Sequence, residues 1–186
     1  MDTETILRVG AFGCFIGHGW IAAWKLEFGG WSKFMDAAGF TEPEAHQVMP
    51  VIGWMDVALA ANVLLRPNEL CSAWMATWAF STALVRPFSA GWDRASKPLS
   101  DNALWGFVER ASNWACPLAL LAMQKAPGYA PKDLFPGTGL YELLEPFANG
   151  YSESQLAVFM AGTFALAWFV VVPVLRAREG RGKKQK

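Results

Sequence analysis

Five long apolar runs, at about 6–24, 48–66, 70–87, 104–123 and 156–175, are set apart along this chain by shorter polar segments. Each comes close to the roughly 20 mainly apolar residues that carry a helix across a bilayer. Charges collect between the runs instead of alternating through them, as an amphipathic helix on a soluble core would require. The last run, LAVFMAGTFALAWFVVVPVL, holds no charge at all. The third, LCSAWMATWAFSTALVR, is short and calls for tilt or local bilayer thinning. The pattern predicts an all-α integral membrane protein. One domain over residues 1–186 would hold a four-helix transmembrane bundle plus a fifth C-terminal transmembrane helix.

Helix-start signals fall where this division needs them. TEPE places Thr41 at an N-cap, Pro43 in the first turn and Glu44 at the capping-box position, and SESQ repeats the pattern with Ser152 and Gln155. Asp101 stands ready to cap the fourth run. Orientation follows from Lys and Arg in the loops. With the N-terminus outside, the inner segments and the tail 176–186 carry eleven basic residues, against four outside (Arg8, Arg66, Lys125 and Lys132). The expected topology is N-out/C-in. Helical spacing of Trp31, Phe34, Met35 and Ala38 predicts a helix lying on the inner interface, and GLYELLEPFANG an outer interfacial piece.

Composition narrows the classes further. Hydrophobic residues make up 53% of the chain and charged residues 17%, with a net charge of zero, so no basic field exists to recruit nucleic acid. The three cysteines, Cys14, Cys71 and Cys116, show no metal-ligand spacing and read as small buried hydrophobes. No metal site is expected. The acidic start MDTETILRVG is unlike a secretory leader, so the first run is expected to be retained. Nucleophile-elbow, phosphate-loop and zinc-protease motifs are absent.

The polar residues inside the runs carry the chemistry. At about 1.5 Å per residue, His18 lies roughly 9 Å from the inner end of its run, Asp56 roughly 12 Å, and Glu109 and Arg110 about 8–9 Å. Arg86 closes the third run at the same boundary. Four runs thus place ionisable groups in one slab. Each charge at a helix centre costs about 2.5–3.5 kcal/mol on insertion, which favours mutual neutralisation. Neighbours on a helix point about 100° apart, so Glu109 and Arg110 should not simply pair with each other but reach toward different helices. The expected pairs are Asp56 with Arg110, and Glu109 with Arg86 or His18. Asn113 shares a face with Glu109, and Trp20, Trp54 and Trp78 are candidate pocket walls. Gly13 and Gly17 form a GxxxG that would let a neighbouring helix approach closely. Two readings stay open for this layer: a working site, or an ion-pair network that only fixes helix register.

The pieces LRVGAFGCFIGHGW, IGWMDVALA, TALVRP and FVERASNWACPLALL together resemble the DoxX-like membrane proteins, over roughly residues 6–125. The resemblance implies a small helical bundle in a bacterial cytoplasmic membrane. One branch of that group includes the small subunit of a thiosulfate:quinone oxidoreductase. The matched positions are His18, Asp56, Arg86, Glu109, Arg110 and Asn113, the residues that depth selects on its own. Residues 126–186 depart from the pattern, and an extra helix offers a way to dock onto a larger complex. The leading expectation is a multi-pass subunit of a quinone-linked or other membrane redox system, with quinone as a candidate ligand. The alternative is a non-catalytic accessory subunit, its partners being the bilayer and other membrane proteins. A small transporter is disfavoured by the absence of an inverted repeat.

Overall fold

The computed structural model of the chain describes residues 1–24, 35, 40–90, 103–144 and 151–165. The expected inner interfacial helix (apart from Met35 and Phe40), the Asp101 cap, residues 166–175 of the fifth run and the basic tail lie outside the described residues. All secondary structure among the described residues is helical: α1 (Thr3–Ala23), α2 (Glu42–Leu65), α3 (Glu69–Ala90), α4 (Ala103–Val108), α5 (Ala111–Gln124), α6 (Leu140–Leu143) and α7 (Glu153–Ala165).

Four of the helices, α1, α2, α3 and α7, begin where a side chain takes over orphaned N–H groups. Asp2 caps α1 by accepting from the Thr5 N–H at 2.8 Å. A reciprocal capping box between Thr41 and Glu44 starts α2, the Thr41 N–H donating to Glu44 Oε2 at 3.0 Å. Asn68 Oδ1 accepts from the Cys71 N–H at 2.8 Å and so starts α3 after a three-residue turn. Before α7, the Ser152 N–H donates to Gln155 Oε1 at 2.8 Å, and the Gln155 N–H returns to Ser152 Oγ at 3.2 Å.

The run 104–123 is not one helix. It divides into α4 and α5, with a turn at Glu109 and Arg110. The Arg110 N–H bonds back to the Phe107 carbonyl and the Asn113 N–H to the Arg110 carbonyl, both three residues apart, which tightens the chain and turns it. Phe80 of α3 packs its ring edge-on against Phe107 of α4 and Trp114 of α5, spanning the break.

Four helices, α1, α2, α3 and α5, run alternately up and down. Packing passes from α2 to α1, on to α5 and back to α3, while α2 and α3 meet only sparingly. The main core gathers Ala11, Phe15, Ala60, Val63, Cys71, Met75, Ala79 and Leu120 from all four. α3 is the innermost helix: Ser72, Ala73 and Met75 have no exposed surface, and α7 lays Leu156 and Phe159 on its outer side. Its small, partly polar residues suit a helix surrounded by protein.

Among the described residues two helices, α1 and α2, are long and apolar enough to cross a membrane. Only 33% of the apolar window of α1 and 28% of that of α2 is buried, whereas the core helix of a soluble protein would be mostly buried. Ile6, Val9, Trp20, Val51 and Trp54 are among the large apolar side chains left outside. Helices this apolar and this little buried suit a surrounding of lipid or a partner.

The crossing of α1 and α2 is set by glycine, at other positions than the GxxxG. A Cβ on Gly53 would stand 2.1 Å from the Ala23 nitrogen, and one on Gly19 would stand 2.8 Å from the Gly53 carbonyl oxygen. Among the described residues no atom comes within 4 Å of a Cβ built on Gly13 or Gly17. That pair faces away from the contact because the α1 face meeting α2 runs through Ala11, Phe15, Gly19 and Ala22.

Candidate functional site

Among the described residues, a dense polar cluster lies at the end of the bundle where α1 begins and α2 ends. Arg8, wholly buried, donates from Nε to the Val63 carbonyl and from Nη2 to the carbonyls of Leu64 and Leu65. Its Nη1 bonds Glu4 Oε1 at 3.0 Å and the Lys132 carbonyl. These five bonds occupy all five guanidinium donors. The last carbonyls of a helix have no partner within it and carry the negative end of its dipole, so a cation there is doubly favoured. Glu4 Oε1 in turn accepts from the Tyr129 hydroxyl at 3.2 Å and the Lys132 N–H at 3.1 Å. One arginine and one carboxylate thus tie α1, the end of α2 and the connector after α5 together.

Arg66 extends this clasp. Its guanidinium lies 4.1 Å from the centre of the Tyr141 ring and donates to the Tyr141 carbonyl at 3.0 Å, while the Tyr141 hydroxyl donates to the Pro131 carbonyl at 2.7 Å. Lys125 pairs with Glu69 at 3.0 Å and donates to the Tyr151 carbonyl. Three of the four basic residues counted as outer anchors in the sequence (Arg8, Arg66 and Lys125) are therefore structural joints. Only Lys132, exposed and paired with Asp2 at 2.8 Å, is a surface charge. The sequence carried one signal for the joint at Arg8: Glu4 precedes it by four residues on the same helix.

The Asp2–Lys132 bond holds the Asp2 carboxyl well below its ordinary value of 3.8 and raises the Lys132 ammonium. A carboxyl lowered in the folded state stabilises above its unfolded value and loses that contribution as pH falls through the folded one. A raised ammonium contributes below about 10.5 and loses its contribution as pH rises through the folded value. Asp2→Asn is therefore expected to flatten the acid limb of the stability–pH profile below about pH 4, read as melting temperature against pH. Because both groups are exposed, the effect should be small and should shrink with added salt. The Tyr129 phenol is raised by burial and then by the Glu4 charge, so it remains a donor to Glu4 up to strongly alkaline pH.

The slab of ionisable residues predicted from sequence is only partly gathered. Asp56 is buried at the α1–α2 crossing, its Cβ beside Gly19, with the Trp78 side chain as hydrogen-bond partner and no partner for Oδ1. The charges of Asp56 and Arg110 and the thiol of Cys116 all fall within electrostatic range of Cys14. Cys14 Sγ lies 3.8 Å from His18 Nδ1, but the His18 side chain is exposed. Asn113 is half-buried in the first turn of α5. Arg86 stands in the last turns of α3, and its side chain lies outside the described ones.

Glu109 and Arg110 correct the sequence reasoning. They bind each other at 2.9 Å, and the Glu109 side chain is 54% exposed. The 100° separation that forbade such a pair holds only on a continuous helix, and the chain turns at these two residues. Arg110 also donates to the Gly106 carbonyl at 3.3 Å, closing the end of α4. No ion pair among the described residues includes Asp56. Adjacent exposed pairs contribute about 0–1 kcal/mol. Glu109→Gln should accordingly leave the melting temperature in mild detergent within a degree or two of the parent.

Of the candidate pocket walls, Trp20 and Trp54 are more than half exposed and join Trp24 in an outward aromatic cluster, with ring centres 5.7 and 6.3 Å apart. Trp78 is half-buried against the main core. A cavity of about 490 Å³ opens elsewhere, between α2, α3 and α7, lined in part by Met55, Asn62, Asn68, Trp74 and Phe159. None of the candidate site residues lines it. No group of three or more metal-ligating side chains is present among the described residues. Comparison with family models, curated proteins and solved structures gives no match for this chain.

Proposed function

We propose that this chain is a multi-pass subunit of a bacterial cytoplasmic membrane, of the DoxX-like type and oriented N-out/C-in. In this reading it is a non-catalytic accessory part of a larger membrane assembly. One observation carries it: the buried arginine uses every donor within the chain, and Glu109 and Arg110 neutralise each other, while the apolar faces of α1 and α2 stay open. The polar groups hold the bundle together, and the apolar faces are what it offers to its surroundings. Purification of the native protein in mild detergent, with mass spectrometry of the complex, tests this. Stoichiometric membrane partners are expected. A lone, monodisperse chain would contradict the accessory role.

Asp56 favours a second reading, a subunit of a quinone-linked or other membrane redox system. A buried carboxylate oxygen without a hydrogen-bond partner is costly unless something supplies one, and a headgroup hydroxyl or a transferred proton would do so. In that case Asp56→Asn would abolish electron transfer through the assembly while leaving its composition intact. As a purely structural group, Asp56→Asn would be neutral or stabilising, because the charge is removed and the Trp78 indole keeps an acceptor.

A further inference from the structure

The cavity between α2, α3 and α7 has a polar end and an apolar length. Asn62, three residues before the end of α2, and Asn68, the cap of α3, stand at the same end of the bundle as the Arg8 clasp. Ala58, Met55 and Leu59 continue the lining down α2, and Trp74 of α3 and Phe159 of α7 face it from the other sides. Met55 is seven residues from Asn62, about 10 Å along the helix.

The polarity of the asparagine pair is fixed by the backbone. The Cys71 N–H can only donate, so the Asn68 atom that receives it at 2.8 Å is Oδ1. Asn68 Nδ2 must then be the donor to Asn62, at 3.1 Å, which makes the receiving atom Asn62 Oδ1. The Asn62 amide nitrogen is left over on a residue lining the cavity, with no partner among the described residues. The cavity therefore offers N–H donors at its polar end and accepts an acceptor. With α2 crossing the membrane, this end lies near the interface, where the ester carbonyls of glycerolipids stand, and the apolar length lies where their chains run.

We infer that the α2–α3–α7 cavity binds one acyl chain of a membrane glycerolipid, with its ester carbonyl hydrogen-bonded to Asn62. The sparing contact between α2 and α3 leaves room for that chain, and Trp74 and Phe159, with ring centres 5.7 Å apart, form its far wall. The inference rests on the membrane reading above.

The test uses the detergent-purified full chain and a diazirine-bearing fatty acyl phosphatidylcholine, with cross-links mapped by peptide mass spectrometry. Labelling is expected to concentrate in residues 55–74 and 151–159. It should fall at least threefold in Ala58→Phe, which fills the cavity from an exposed position, and in Asn62→Asp, which keeps the acceptor for Asn68 but loses the donor. Labelling spread evenly over other exposed apolar positions such as Val9, Val51 and Leu118 would overturn the inference. So would labelling unchanged in Ala58→Phe, or equal labelling by a hydrocarbon probe that lacks the ester. Liposome flotation of the same preparation judges the membrane reading separately: a chain that fails to float refutes that reading, whereas a floating chain without cavity labelling refutes only the lipid site.

Discussion

Arg8→Leu is expected to lower stability by about 3–5 kcal/mol, the largest loss expected from any one of the described side chains. The guanidinium has no exposed surface and its donors reach Val63, Leu64, Leu65, Glu4 and Lys132. Leucine would leave three helix-end carbonyls without a donor and the Glu4 charge without a cation. Unsatisfied buried groups lose their full desolvation cost, which exceeds the net worth of the bonds themselves. Arg8→Lys keeps the charge but provides three donors from one point, so it should recover only part of the loss. Thermal unfolding in mild detergent reads both variants, and a drop on the order of 10 °C is expected for the leucine. A change of less than about 1 kcal/mol would show that α2 finds other partners for its end.

The second large effect is Gly53→Ala. Alanine normally gains about 0.5–1 kcal/mol over glycine inside a helix, through lower chain entropy. At Gly53 the new methyl would stand 2.1 Å from the Ala23 nitrogen and 2.7 Å from the Ala22 carbonyl carbon. Both are backbone atoms, which cannot rotate away, so α1 and α2 must separate. The cost should reach about 3 kcal/mol, at the upper end of overpacking effects. Gly13→Ala and Gly17→Ala meet nothing within 4 Å among the described residues and should be neutral or mildly stabilising. Comparing the melting temperatures of these variants decides which glycines hold the helices together. If Gly13→Ala proved the damaging one, α1 would be rotated from the face described.

The apolar runs and two of the helix starts could be read, because apolar length and capping residues are local properties: Thr41 with Glu44, and Ser152 with Gln155, behave as their spacing implied. Which glycine pair meets a neighbour was not readable, since it depends on how α1 is rotated against α2, and both pairs have the composition for close approach. The break at Glu109 and Arg110 was hidden for another reason. An apolar run says how much chain can be buried, but nothing about whether its hydrogen bonds continue through a charged pair. Once the chain turns there, the two charges meet, and the angular argument that sent them to different helices no longer applies.

Arg8 was the opposite case. Counting it as a loop cation used its charge and ignored its partners. The Glu4–Arg8 spacing was visible, but the three carbonyls at the end of α2 that make Arg8 structural come from a helix more than fifty residues away. Asp56 was legible as an unusual group, because an acid within an apolar run has few harmless explanations. Its neighbours were not, since Gly19 and Trp78 reach it from two other helices.

The central claim is that the open apolar faces of α1 and α2 meet lipid. Alkaline carbonate extraction of membranes from cells producing the full chain tests it most directly. Retention of the protein in the membrane pellet, with release only by detergent, is the predicted result. Release into the carbonate supernatant would contradict the account and make α1 and α2 helices covered by protein instead of by a bilayer.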